Sequence, residues 1–146
     1  MSQGAVALVL HAHLPYVRSA QPGSLEEDWF FQALIECYLP LLECLEDAAA
    51  DPNRSPKITI GLSPTLLSLL SDADLKRRFP AWIQSRLDLL PKADPRLRDA
   101  VDHLAITMQR HLQAWKACDA DLIGRFAALQ RREVVDLLTC LSLIHI

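Results

Sequence analysis

At 146 residues the chain has the length of one ordinary domain, and 51% hydrophobic with 23% charged residues is the balance of a globular protein with a core. A formal net charge of -3, with basic residues scattered along the chain, gives no electrostatic case for a nucleic-acid partner. No apolar run approaches the ~18 residues of a membrane span and no secretory leader pattern opens the sequence, so the expectation is a cytoplasmic protein without a membrane partner. Cys37, Cys44, Cys118 and Cys140 form no CxxC pair and read as buried thiols, neither a zinc site nor a disulfide framework.

The first element is Val6 to Leu10, five apolar residues that predict a short strand buried on both faces, as in parallel sheets. His11 and His13 follow at its C-terminal end, two apart and so on the same side, and Pro15 stops the pairing. That edge of an α/β sheet or barrel is where ligands bind. A histidine there can equally be a hydrogen-bonded structural residue. Tyr16 to Gly23 reads as a loop.

Ser24-Leu25-Glu26-Glu27 has the form of a capping box, in which the Ser24 hydroxyl accepts from the Glu27 amide and Glu27 reaches back to the Ser24 amide. The carboxylates Glu26, Glu27 and Asp28 suit the positive end of a helix better than they suit catalysis. Phe30, Leu34, Cys37 and Leu41 mark the apolar stripe, and Pro40 is expected to kink or restart a helix that runs to about Ala50. After a turn at Asp51 to Pro56, Lys57 to Leu62 is a second strand. Ser63 and Pro64 then open a helix with Leu66, Leu67, Leu69 and Leu70 as its inner face. Strand, helices, strand, helix predicts parallel pairing in a doubly wound sheet or barrel.

Asp72 to Leu90 reads as a helix interrupted at Pro80. Leu97, Val101, Leu104, Met108, Leu112 and Trp115 form the clearest helical stripe, with Trp115 in the core and His103 and His111 off the stripe as solvated residues. A break near Asp119 precedes a helix over Asp121 to Gln130 that tolerates Gly124. After a polar turn at Arg131 to Glu133, Val134 to Leu138 is a third strand. Leu141 to Ile146 resembles one reading frame of a sequencing-library adapter, so residues 141–146 are set aside as an expected artefact and residues 1–140 as the front part of a longer protein.

His11-Ala12-His13-Leu14-Pro15-Tyr16-Val17-Arg18, then Leu25-Glu26-Glu27-Asp28-Trp29-Phe30-Phe31 and Glu36-Cys37-Tyr38-Leu39-Pro40-Leu41-Leu42, resemble the start of glycoside hydrolase family 57. Within it they are most similar to the α-1,4-glucan branching enzyme group. The resemblance continues through Leu62-Ser63-Pro64-Thr65-Leu66, and Val135 to Cys140 is similar to the strand before the family's second histidine motif. It implies an α/β fold, the N-terminal part of a (β/α)7 barrel of the glycoside hydrolase and deacetylase type. It also implies retaining chemistry on an α-glucan such as amylose or a glycogen-like chain, with no metal and no cofactor. His11 and His13 would contact the sugar at the cleavage point, and Trp29 would stack on the glucan, unless it is a core residue of its helix.

Retaining chemistry needs two carboxyl groups ~5 Å apart. The resemblance puts that Glu and Asp on later strands. The acidic residues here fall in helix starts, helix surfaces and turns, except Asp136 inside the third strand, so this chain by itself is expected to be inactive. Two other classes remain open from the residues alone: a metal-dependent hydrolase using His-x-His at the first strand end, and a non-catalytic glucan-binding module.

Overall fold

The structure is a computed structural model that describes residues 4, 6–18, 23–51 and 57–139. The six-residue tail, Cys140, and parts of the two loops expected at 16–23 and 51–56 lie outside the described residues. Three strands, β1 (Val9–Ala12), β2 (Ile58–Leu62) and β3 (Val135–Thr139), form one sheet in the order β1-β2-β3 with both pairs parallel. The predicted parallel pairing of the first two strands holds, in the register Val9 to Thr59 and Ala12 to Leu62.

Two differences from the sequence reading concern β1. It starts and ends later than Val6–Leu10, so His11 lies inside the ladder opposite Gly61 rather than after it. It is also not buried on both faces: Leu8 and Val9 are exposed. The reason is topological. β1 is an edge strand, and the helices cover one side of the sheet. Alternation sorts the side chains accordingly. Leu10, Ala12, Ile58, Ile60, Leu62, Val135 and Leu137 join the core, whereas Val9, His11, Asp136 and Leu138 are exposed on the other side.

The connection from β1 to β2 is α1 (Leu25–Ala33), a five-residue π-turn (Leu34–Tyr38) and α2 (Leu39–Ala50). α2 starts at Leu39 with Pro40 in its first turn, the restart expected there. The proline ring would collide with the carbonyl four residues back and it has no amide to donate; the wider turn just before it, closed by the Leu39 amide on the Leu34 carbonyl, accommodates both. The extra residue in that turn shifts the phase. The buried positions are Phe30, Phe31, Leu34, Tyr38, Leu39, Leu42 and Leu45, while Cys37, read as part of the stripe, is exposed. Cys44 is exposed and Cys118 half-buried, so the described thiols are not core residues.

The second connection holds α3 (Pro64–Ser71), α4 (Ala73–Leu87), α5 (Arg98–Ala117) and α6 (Leu122–Arg131). Ser63 caps α3 through the Leu66 amide at 3.3 Å, as expected. Pro80 lies inside α4 without breaking it, because Leu75, Phe79 and Ile83 are buried around it and offset the roughly 3 kcal/mol that an interior proline costs. Only the second half of the α5 stripe is core: Met108 and Trp115 are buried, but Leu97 and Leu104 are exposed. His111 is the second correction on this helix. It is 1% exposed rather than solvated, facing inward between Met108 and Trp115, with Nδ1 3.1 Å from Glu43 Oε1 on α2. Gly124 is more than tolerated, since a Cβ there would meet the Asp121 carboxylate that caps α6.

Candidate functional site at the end of the first strand

The segment after β1 is held by three neighbours at once. The carbonyl of Ala12 accepts from the Ser63 amide (3.1 Å), that of His13 from the Tyr38 hydroxyl (3.4 Å), and that of Leu14 from Thr65 Oγ1 (2.9 Å). Thr65 is in turn within 3.0 Å of Ser63 Oγ. Tyr38 reaches inward because of the phase shift in the π-turn, and burial, with Cys37 adding to it, pushes its pKa up to about 12, so the phenol remains a donor at any ordinary pH. Val17 is buried, and Arg18 closes the segment by donating from Nε to Asp72 (2.7 Å) and from a terminal nitrogen to Asp74 (3.2 Å). The Asp72 hydrogen bond is the main reason the Arg18 pKa lies above its ordinary value.

On this support the two histidines occupy different positions. His11 is exposed on the open face of the sheet; His13 is half-buried just beyond the strand, and its Nδ1 is shielded from solvent with no hydrogen-bond partner. A buried polar atom left unpaired costs about 1–3 kcal/mol, and among the described residues His111 Nε2 and Arg125 Nη1 share this state. Trp29 is 49% exposed on α1, which settles against core packing. It lies about 6 Å along the helix from Leu25, given the 1.5 Å rise per residue. None of the three hydrogen-bonds to another among the described residues. His11 and His13 lie at the end of β1, and Trp29 lies in α1, the next helix along the chain.

The acidic residues are committed elsewhere. Glu27, 4% exposed, does not return to the Ser24 amide as the capping box predicts. It takes a contact from the Gly23 amide at 3.4 Å and a bidentate pair from Arg78 on α4, at 3.2 and 2.6 Å. Asp28 binds Arg86 and the Trp82 indole of the same helix. Glu43 meets His111 and Arg110, Glu46 meets Arg125, and Asp94 meets Arg96. These pairs tie helices or turns together. Asp136 stands apart, in β3 on the open face, two residues below the row of His11, Gly61 and Leu138. Sequence reasoning missed the structural work of Glu27 and Asp28, because their partners are more than fifty residues away and leave no local pattern.

Among the described residues no three His, Cys, Asp or Glu side chains are placed to hold a metal ion, so a zinc site built on His11 and His13 lacks its third protein ligand here. No described helix is long and apolar enough to cross a membrane. A groove of about 790 Å³ between α4 and α5, lined by Leu87, Leu90, Val101 and Leu112 with Gln84 and Lys116, contains none of the strand-end residues.

A parallel sheet with helices on one side and histidines at the end of its first strand defines a mixed α/β protein with a candidate site at that strand end. The chain belongs to glycosyl hydrolase family 57, whose profile matches residues 7–140. It is 30% identical over 140 residues to a 1,4-alpha-glucan branching enzyme of Thermococcus kodakarensis, a match covering 94% of this chain and 21% of that protein. The crystal structure of a family 57 branching enzyme from Pyrococcus horikoshii superposes with a TM-score of 0.82 at 29% identity, over 91% of this chain and 26% of the other. The α-amylase AmyC of Thermotoga maritima shares the fold, with a TM-score of 0.85 at 24% identity over 95% of this chain and 27% of its own. The chain thus spans about a fifth of the curated relative's length and about a quarter of each solved one.

Proposed function

We propose that this chain is the sugar-holding front part of an α-glucan-active enzyme, a 1,4-α-glucan branching enzyme, in which β1 to β3 are the first strands of a (β/α)7 barrel. In this reading residues 1–140 belong to the catalytic barrel and the open face of the sheet is the barrel interior. His11 and His13 bind the glucose unit at the cleavage point. An imidazole offers one donor and one acceptor, which suits neighbouring sugar hydroxyls. Trp29 offers a flat apolar face to the C–H side of a sugar ring, with its own position fixed by α1.

The observation that carries the reading is His13, pinned through successive backbone carbonyls by Ser63, Tyr38 and Thr65 while its own Nδ1 has no protein partner. The resemblance places the nucleophile and the acid/base of a retaining mechanism on later strands of the longer protein. Binding groups without that pair do not lower the barrier of glycosyl transfer. The expected behaviour is glucan binding without turnover. Titration of the 146-residue chain with maltoheptaose should show saturable binding, weakened in His13→Ala and Trp29→Ala variants. Incubation with amylose should give neither new reducing ends nor α-1,6 linkages. No binding by the folded chain overturns the site assignment, and turnover abolished by changing one of its own carboxylates overturns the placement of the catalytic pair.

A further inference from the structure

Of the nine aromatic residues in the chain, four Phe, two Tyr and three Trp, two are exposed: Trp29 and Tyr16, the latter at 61%. Phe30, Phe31, Tyr38, Phe79, Trp115 and Phe126 are buried, and Trp82 is packed against Phe31, Phe79 and Arg86. Single exposed aromatics scattered over a surface need no explanation. Here Tyr16 follows the end of β1 and Trp29 lies in α1, the next helix along the chain.

We propose that Tyr16 is a second stacking platform for the glucan, one that takes a glucose unit beyond the disaccharide held at His11 and His13. This rests on the glucan-binding reading of the strand end. Tyr16 is presented by a firmly held stretch of chain. On one side the carbonyls of His13 and Leu14 are hydrogen-bonded to Tyr38 and Thr65; on the other Val17 is buried and Arg18 is clamped by Asp72 and Asp74. Between these anchors Pro15 and Tyr16 are the exposed residues, and Pro15 restricts the backbone on the N-terminal side of the ring. A ring held in this way loses little freedom when a ligand meets it, which is the condition under which exposed aromatic surface converts into affinity.

Reach agrees with the assignment. Tyr16 is three steps along the chain from His13, and a chain spans at most about 3.3–3.6 Å per step, so the two Cα atoms are no more than about 11 Å apart. That is within the span of a short oligosaccharide. The platform therefore acts on chains and not on a single sugar, and it discriminates by ligand length.

The test uses the 146-residue chain, with maltose and maltoheptaose as probes, titrated calorimetrically and by ligand-observed NMR. Folding of each variant is checked by circular dichroism. Tyr16→Ala is expected to weaken maltoheptaose binding about 3- to 10-fold, the range that aromatic contacts supply, and to leave maltose binding within about 2-fold, as expected when the lost contact lies outside the disaccharide site. Tyr16→Phe, which keeps the ring, should bind maltoheptaose within about 2-fold of wild type. Unchanged maltoheptaose affinity in Tyr16→Ala, with a clear loss in Trp29→Ala, overturns the role of Tyr16 and leaves the glucan reading standing. Equal losses for both ligands, or a loss in Tyr16→Phe as large as in Tyr16→Ala, also overturn it, since the first indicates a distorted site and the second a hydrogen bond. Wild type that binds neither ligand overturns both the proposal and the reading beneath it.

Discussion

On one side of the sheet Ala12, Ile60, Leu62 and Val135 are buried against the leucines and phenylalanines of the helices; on the other, Val9, His11, Asp136 and Leu138 meet no helix. The same short strands supply both sets through simple alternation. The difference separates stability from chemistry. The covered side carries the apolar burial that makes the chain fold, and on the open side His11 and Asp136 are exposed among the described residues. The strand-end segment joins the two regimes: its backbone is tied to the covered layer through Ser63, Tyr38 and Thr65, while His11, Tyr16 and Trp29 stay exposed.

The sharpest test of this division is a pair of truncations on neighbouring strands. Ile60→Ala, at a fully buried position on the covered side, is expected to cost about 2–4 kcal/mol through lost transfer energy and a cavity. Leu138→Ala, on the open side, should cost less than about 0.5 kcal/mol. Urea denaturation of both variants measures the contrast, and equal losses would break it. A smaller effect belongs to the clamp on the strand-end segment. Asp72 caps α4 by accepting from the Asp74 and Leu75 amides, both at 2.9 Å, while holding Arg18. Burial alone would raise its pKa, but the Leu75 amide and the Arg18 guanidinium outweigh that and hold it below the ordinary carboxylate value. A depressed folded-state pKa contributes stability that is present above the unfolded value of about 4 and is lost as pH falls through the folded one. Thermal melts from pH 6 down to pH 3 should therefore show a decline in wild type that is shallower in Asp72→Asn. Asp72→Ala should lose about 1 kcal/mol at neutral pH with the cap.

Much of this layout was legible in the sequence. The parallel strands, the Ser63 and Ser24 caps, the Leu66 to Leu70 face of α3 and the break near Asp119 all follow from local periodicity and turn chemistry, which act over a few residues. What escaped was set at longer range or by a departure from the 3.6-residue period. The π-turn before Pro40 moved the inner face from Cys37 to Tyr38, so the residue that fixes the His13 carbonyl could not be read from helix spacing. Glu27 and Asp28 were read as dipole partners because Arg78 and Arg86 are remote in sequence. His111 went unrecognised for the same reason, its partner Glu43 being 68 residues away. Pattern placed His11 and His13 at the first strand end and only the resemblance singled out Trp29, but burial of the His13 Nδ1 and exposure of Tyr16 required the packed structure.

The π-turn offers the next test. Tyr38→Phe removes the one hydrogen bond to the His13 carbonyl and keeps the buried ring, so its cost in stability should be about 1 kcal/mol. If the bond positions His13, maltoheptaose affinity should fall as well; a stability loss with unchanged affinity would assign Tyr38 to the covered layer alone.

His11→Ala carries the smallest expected effect on stability and the one that separates the two sides most cleanly. His11 sits on an edge strand of the described sheet and is exposed, and no hydrogen bond of its ring is found among the described residues. Denaturation should shift by less than about 0.5 kcal/mol. Its contribution to a bound sugar is one hydrogen bond from an imidazole nitrogen, and losing it should weaken maltoheptaose binding about 2- to 10-fold, the equivalent of 0.5–1.5 kcal/mol. A variant as stable as wild type that binds less well is the result that a residue held for chemistry must give. A variant that unfolds more easily and binds the same would move His11 into the structural frame, and would leave His13 as the histidine on which the site depends.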